Sequence, residues 1–282
     1  MISFKYIGKH GRLGNQMFQF AATVGIARKI NKGFVFPKEN TEIPSVEDFK
    51  DGVTREVYFD LPKYFPNVTM TLAPLDQIET NHVAQEPGFH FFPEFFAIPD
   101  QTNLMGYFQT EKYFEHCSDL ILGFFQFDRE IKKKAENALP KIPGNPELVS
   151  VHVRVGDYKA LQQFHPVMDA DYYFSAMMEF SDKDHNTDKY FVIFSDDIEY
   201  AKNLFGESEG IIYMENNEPE VDMCAMSMCH HNIIANSSFS WWAAWLNNNP
   251  NKRVIAPKKW FGHAYEGIHD TKDLYPETWT IV

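Results

Sequence analysis

The stretch Leu148–Tyr158, LVSVHVRVGDY, decides the fold. Val149, Val151, Val153 and Val155 set β-branched residues at every second position, the pattern of a short buried strand. At its C-terminal end the chain presents His152, Arg154 and Asp157, with Gly156 to loosen the backbone. A period of two puts His152 and Arg154 on the same face. A core strand does not bury a histidine and an arginine together without partners or a ligand. In open α/β sheets the carboxyl edge is where ligands bind, and an arginine there suits bidentate hold of a phosphate. The plain structural alternative is an ion pair between Arg154 and Asp157.

Downstream of this strand, further strands are expected at 190–194 (YFVIF), 211–213, 231–235 (HNIIA) and 253–256. Helices over 171–180, 197–204, 220–228 and 239–247 alternate with them, which is the plan of a doubly wound parallel sheet. Upstream, LPKIPGNP (139–146) reads as a linker. The chain opens in the same way as its second half. A strand over Ile2–Ile7 runs into a glycine-bearing turn and a helix whose apolar face is Met17, Phe20, Ala21, Val24 and Ala27. Gly33 stops that helix and Phe34–Phe36 is a second strand. Between Pro37 and Tyr107 prolines recur at 37, 44, 62, 66, 74, 87, 93 and 99, so irregular structure with short strands and helices is expected. Residues 110–138 read as mostly helical. The expected fold is α/β, with two Rossmann-like domains, residues 1–140 and 141–282, facing a cleft.

A chain of 282 residues that is 44% hydrophobic and 23% charged has the composition of a soluble globular protein. Its 26 phenylalanines raise the aromatic share to 16%, which points to thick packed cores or stacking surfaces. A net charge of -13 argues against non-specific binding to nucleic acid, and leaves at most peripheral association with an anionic membrane. Any anion held here must be gripped locally, against the global field. Cys117, Cys224 and Cys229 are odd in number and lack CxxC spacing, which fits a reducing compartment. MISFKYIGKHGRLGNQ has no apolar signal-peptide core, and no stretch approaches the roughly 18 apolar residues of a membrane span. A cytoplasmic setting is therefore expected, in which the sequons at Asn67 and Asn236 carry no weight.

Three more clusters carry chemistry. Gly11-Arg12-Leu13-Gly14-Asn15-Gln16 joins a strand to a helix, where glycines let backbone N–H groups approach an anion. It is neither GxGxxG nor a Walker loop, and its structural alternative is a tight turn capped by Asn15. Ser195-Asp196-Asp197 ends the next strand of the second half; its carboxylates can accept from ribose hydroxyls or guanine N–H groups, and one of them is expected to cap the following helix. Asn236-Ser237-Ser238-Phe239-Ser240 sets small polar groups between a strand and a helix N-terminus, a cradle for a pyrophosphate or a run of caps. Trp241, Trp242 and Trp245 read as core. Asp169-Ala170-Asp171 sits before a helix, where acids belong without any metal. Cys229-His230-His231 lacks metal spacing, and no GxSxG elbow is present.

GRLGNQMFQFA, GYFQTEKYF (106–114), VHVRVGDY, FVIFSDD and HNIIANSSFSWWAAWLN, in that order, resemble the alpha-1,2-fucosyltransferases of glycosyltransferase family 11. The resemblance implies an inverting transferase of GT-B type without a metal or other cofactor. It implies GDP-fucose as donor and a galactose-terminated oligosaccharide, fucosylated on the 2-hydroxyl, as acceptor. By the same resemblance Arg154 holds the donor pyrophosphate, His152 lies near the nucleotide, and the 195–197 segment contacts guanosine. Asn236, Ser237, Ser238 and Ser240 hold the phosphates, and Gly11, Arg12, Gly14, Asn15 and Gln16 close on the donor from the other domain. The family's mid-chain motif usually has two adjacent arginines; here Val155 stands in the second place, leaving Arg154 more of the neutralisation. Such a transfer builds negative charge on departing GDP and needs the acceptor hydroxyl deprotonated, with Asp157 the candidate base. Alternatives are a catalytically silent GDP-sugar- or glycan-binding protein of the same fold, and a fucosyltransferase of other linkage. Acceptor contacts are expected from the 37–110 region.

Overall fold

A computed structural model describes residues 1–9, 11–38, 45–48, 54–57, 59–180 and 188–282. The chain forms two compact units, one of Met1–Asp128 with Gly267–Pro276, the other of Arg129–Glu266 with Glu277–Val282. The described residues contain no helix long and apolar enough to cross a membrane.

The first unit is built on β1 (Ile2–Ser3), α1 (Leu13–Lys29) and β2 (Phe34–Pro37). An antiparallel pair follows, β3 (Ser45–Asp48) with β4 (Thr54–Val57). Then come α2 (Leu61–Tyr64), β5 (Leu72–Ala73), β6 (His82–Gln85), β7 (Thr102–Met105) and α3 (Ser118–Phe124). Its sheet has the order β5-β2-β1-β7-β6, all parallel. The first strand is shorter than Ile2–Ile7 because the chain leaves the sheet after Ser3: Ile7 N–H donates to Phe4 O and Lys9 N–H to Tyr6 O. Region 37–107 supplies three strands of this sheet, each too short to leave a periodic signal. Between 110 and 117 the chain makes two 3-10 turns, Glu111–Tyr113 and Glu115–Cys117, before α3.

Helix α1 has more than the one apolar face expected of it. From Leu13 to Ala27 every residue except Asn15 is buried, including Gln16, Gln19 and Thr23. These polar residues stay inside because each spends its donor on a backbone carbonyl: Gln16 on Gly11, Gln19 on Gly106, Thr23 on Gln19. The phenylalanine content is explained beside this helix. Phe20 stacks on Phe36 at 4.4 Å and meets Phe124 edge-on at 5.3 Å, while Phe65 contacts Phe125 and Phe127. Full burial of each such ring contributes about 1.5–3 kcal/mol.

The second unit runs α4 (Arg129–Ala138), β8 (Glu147–Val153), α5 (Ala170–Met178), β9 (Lys189–Ser195), α6 (Ile198–Phe205) and β10 (Ile211–Tyr213). It continues with α7 (Pro219–Met228), β11 (His231–Ile233), α8 (Ser238–Leu246), β12 (Val254–Ala256) and β13 (Thr280–Ile281). The sheet order is β10-β9-β8-β11-β12-β13, all parallel. The five expected strands are there, and the two-residue β13 is an unforeseen sixth. In chain order the strands read 3-2-1-4-5-6, the doubly wound arrangement whose order reverses between β8 and β11.

Val149, Val151 and Val153 face a core with Tyr173, Ala176 and Met177 of α5 and Ala201 and Phe205 of α6. The other face of β8 carries Ser150 and His152, both buried. Asn232 donates to Ser150 Oγ at 2.7 Å and to Met226 O, and itself accepts from Asn247, so the Ser150–Asn232–Asn247 group satisfies itself. Lys252 caps the C-terminus of α8 by donating to the carbonyls of Ala244, Trp245 and Asn247.

Candidate functional site

Two motifs of the sequence flank the reversal in the second unit. Past β8 come Arg154 and Val155 and then a 3-10 turn, Gly156–Lys159. Past β11 come Ile234 to Ser237 and then α8. Tyr158 ties them together, donating its hydroxyl to Asn236 O at 3.1 Å, and its ring lies 5.1 Å from the Arg154 guanidinium carbon.

Arg154 is held by two carboxylates. Nη1 donates to Asp196 Oδ2 at 2.5 Å, and Nη2 donates to Asp157 Oδ1. The other oxygen of Asp196 accepts the Val155 N–H at 2.8 Å. Burial works against the guanidinium charge, but Asp196 and Asp157 outweigh it and the pKa moves up. The Arg154–Asp157 pair is thus real, and Asp196 joins it from the neighbouring strand end. Asp157 is 7% exposed, with its carboxylate turned to Arg154. Gly156 has a steric task here and no unusual backbone: a Cβ on it would lie 2.5 Å from Asp196 Oδ2.

Of the two adjacent acids, Asp197 is the cap. It accepts the Tyr200 N–H at 3.0 Å and pairs with Lys159 at 2.6 Å, and the Lys159 contact with that cap bond holds its pKa down. The Ser195 hydroxyl is spent within the backbone, donating to Val153 O and accepting the Asp197 N–H. His152 is 5% exposed, and burial, reinforced by Arg154, pushes its pKa down to about 3, so the imidazole is neutral. Its Nδ1 is buried without a hydrogen-bond partner, and its ring lies 5.5 Å from that of Phe239.

The residues before and within α8 divide their labour. Asn236 is 1% exposed and donates to Pro166 O and Trp260 O, both at 3.0 Å, with its Oδ1 unpartnered. Ser237 is the N-cap of α8, accepting the Phe239 N–H. Ser240 is buried and directs its hydroxyl to Ala235 O and Ser237 O. Ser238 is the partly exposed hydroxyl of the group. Trp241 and Trp242 are fully buried, as core residues should be. Asp169 caps α5 through the Tyr172 N–H. Among the described residues no cluster of three His, Cys, Asp or Glu side chains is placed to hold a metal ion.

In the first unit the Gly11–Gln16 turn sits at the end of β1, where that sheet in turn reverses. Gly11 has φ +83°, and a Cβ on it would run into Asn15, so the turn demands glycine. Gln16 is buried and accepts the Asp60 N–H, while Asn15 accepts from Gln109 at 2.7 Å. Gly14 is buried and Arg12, at the N-cap of α1, is exposed.

The profile of glycosyl transferase family 11 matches residues 4–282. The chain belongs to that family. Among curated relatives, the O-antigen biosynthesis glycosyltransferase WbnK of Escherichia coli is 28% identical over 89% of this chain and 93% of its own. The alpha-1,2-colitosyltransferase of Escherichia coli is 37% identical over 66% of this chain and 64% of its own. Galactoside alpha-(1,2)-fucosyltransferase 1 of Bos taurus is 25% identical over 85% of this chain and 65% of its own. The crystal structure of NodZ alpha-1,6-fucosyltransferase soaked with GDP-fucose shares the fold, with a TM-score of 0.52 at 13% identity over 91% of this chain and 94% of that one. This family 11 chain is therefore an α/β protein with two sheet-containing domains resembling GT-B fucosyltransferases.

Sequence reasoning missed three side chains that build the second unit's edge. Tyr158 and Lys159 follow the motif directly, and their contacts with Asn236, Arg154 and Asp197 arise only when strands far apart in sequence become neighbours. Tyr172 donates to Ile234 O at 2.5 Å from α5.

Proposed function

We propose that this protein is an inverting galactoside alpha-1,2-fucosyltransferase, moving fucose from GDP-fucose to the 2-hydroxyl of a terminal galactose. The observation that carries the reading is the meeting of Arg154, with its carboxylates, and the Asn236–Ser240 segment at the order reversal of a 3-2-1-4-5-6 sheet. A diphosphate belongs at such a point, on a helix N-terminus. Two relatives carry the 1,2 linkage in their names, one for a fucosyl and one for a colitosyl group, which supports the linkage more strongly than the sugar.

In this reading Arg154 faces the pyrophosphate, oriented by Asp157 and Asp196. Ser238 and the N-terminal end of α8 bind phosphate oxygens, with Ser237 and Ser240 shaping that terminus. Neutral His152 and the Ser195–Asp197 segment border the guanosine. As the bond from the fucosyl carbon to the phosphate oxygen breaks, its electron pair goes to GDP. These donors stabilise that charge without having to reorganise. Asp157 supports catalysis chiefly by aiming Arg154, since its carboxylate is already engaged.

The deciding assay incubates the protein with GDP-fucose and a panel of galactosides, with linkage analysis of the product and a parallel arm in excess EDTA. A 2-O-fucosylated galactoside, formed equally with EDTA, is expected. Donor binding without transfer would favour a silent binding protein, and fucose on another hydroxyl would displace the linkage. Offering a nucleotide-activated colitosyl donor to the same acceptors tests the sugar. Gly156→Ala should lower kcat/KM by about 10- to 100-fold by displacing the Asp196 carboxylate from Arg154, with the melting temperature little changed. Unchanged kinetics in that variant would separate the Arg154–Asp196 contact from catalysis.

A further inference from the structure

GYFQTEKYF carries part of the family resemblance, and none of its residues is among the proposed donor contacts. Its first residues leave β7 where the first unit's sheet reverses its order, between β1 and β7. The loop is wound around one carboxylate. Glu86, just past β6, accepts the Tyr107 N–H at 2.8 Å and the Phe108 N–H at 2.9 Å through Oε2. Gly106 has φ +150° and a Cβ there would lie 2.5 Å from Glu86 Cβ, while Phe108 takes the left-handed φ of 53°. Such backbone is held only where its surroundings enforce it, and it concentrates at functional sites. Gly106 O accepts from Gln19, and Gln109 donates to Asn15, which fastens the loop to α1. This framework leaves Tyr107 42% exposed just past the carboxyl end of β7. Its neighbours Phe108 and Tyr113 are fully buried and pack edge-on, so Tyr107 is an exposed aromatic beside a packed aromatic cluster.

We propose that the Gly106–Gln109 loop is the acceptor-sugar subsite, with the Tyr107 ring as the platform for the apolar face of a pyranose and Glu86 as the positioning residue that holds it. This deepens the transferase reading and rests on it. A phenol offers a flat apolar body for sugar C–H groups and a polar tip for their hydroxyls. The Glu86 carboxyl suits the positioning task when ionised, because charge-assisted acceptance of two N–H groups is the stronger form. Burial raises its pKa to about 7, against the lowering effect of the Phe108 and Tyr107 N–H groups. Its Oε1 is buried without a partner, so the proton has a place to go. The ionisable groups sharing these surroundings are the Tyr113 phenol, which lies in the field of Glu86, Asp273 and Glu94, and Lys112, which is paired to Asp273. Below about pH 7 the carboxyl takes up its proton, the grip on the loop loosens and acceptor binding weakens; above it the grip is full.

The test is steady-state transfer with lactose as acceptor. Tyr107→Ala should raise the acceptor KM about tenfold with donor KM and kcat within about twofold, and Tyr107→Phe, which keeps the flat ring and loses only the hydroxyl, should raise it by less. Glu86→Gln keeps an oxygen for the two N–H groups but cannot titrate, so the rise of acceptor KM on acidification from pH 8 to 6 should vanish in it. An unchanged acceptor KM in a folded Tyr107→Ala protein overturns the platform, and an unchanged pH dependence in Glu86→Gln overturns the positioning role. If the wild type transfers to no galactoside, the transferase reading has failed, and direct titration with lactose decides the subsite. Binding lost with Tyr107→Ala then supports it, and binding kept overturns it.

Discussion

Arg154→Ala is expected to lower transfer by at least about 10³-fold, because the guanidinium is the cation fixed at the sheet reversal and no second arginine follows it. The substitution also strands two carboxylates. Asp157 is 7% exposed and Asp196 29%, and breaking a largely buried pair from one side costs about 3 kcal/mol. Loss of activity alone would therefore be ambiguous. Adding Asp157→Asn to Arg154→Ala removes the more deeply buried stranded charge, so the melting temperature should recover while transfer does not. Arg154→Lys keeps the charge but not the two-pronged geometry that spans Asp157 and Asp196, and an intermediate loss of about 10- to 100-fold is expected. Near wild-type turnover in Arg154→Ala would remove the central residue of the site.

The second unit was legible because its signals are local. Val149, Val151 and Val153 alternate, YFVIF and HNIIA are compact apolar runs, and Asp197 and Ser237 cap helices at their first turns. What the sequence hid is set by tertiary neighbours. Asp196 reaches Arg154 across 42 residues, and nothing in FSDD says which acid will cap and which will pair. Gly156 read as a flexible point, yet its reason is the Asp196 carboxylate beside it. Ser237 accepts the Phe239 N–H and Ser240 turns its hydroxyl to Ser237 O, partners that a run of small hydroxyls does not reveal in sequence. In the first unit β5 is a two-residue strand and β6 a largely exposed edge, so neither leaves a periodic trace. Gln16, Gln19 and Thr23 masked the full burial of α1 because polar residues are buried when a carbonyl is within reach.

Asn236→Asp is nearly isosteric, and it is expected to be the most damaging small change in the second unit. The amide nitrogen of Asn236 donates to Pro166 O and Trp260 O at 3.0 Å, tying two loops to the start of α8, and the residue is 1% exposed. A carboxylate in its place would set only acceptors against two carbonyl oxygens at a site almost closed to solvent. The expected cost is roughly 3–5 kcal/mol at pH 7, with a loss of transfer of about 10²-fold as the edge shifts. The pH dependence has a definite sign. The new carboxyl is forced to keep its proton in the folded state, so its folded pKa lies above the unfolded value of about 3.9. The deficit is then small below pH 4, where both states are protonated, and grows as pH rises through the folded pKa. Thermal melts of the variant and the wild type at pH 4 and pH 7 measure this directly. A melting temperature at pH 7 matching the wild type would mean that Pro166 and Trp260 do not depend on Asn236, and that the start of α8 is held in place without it.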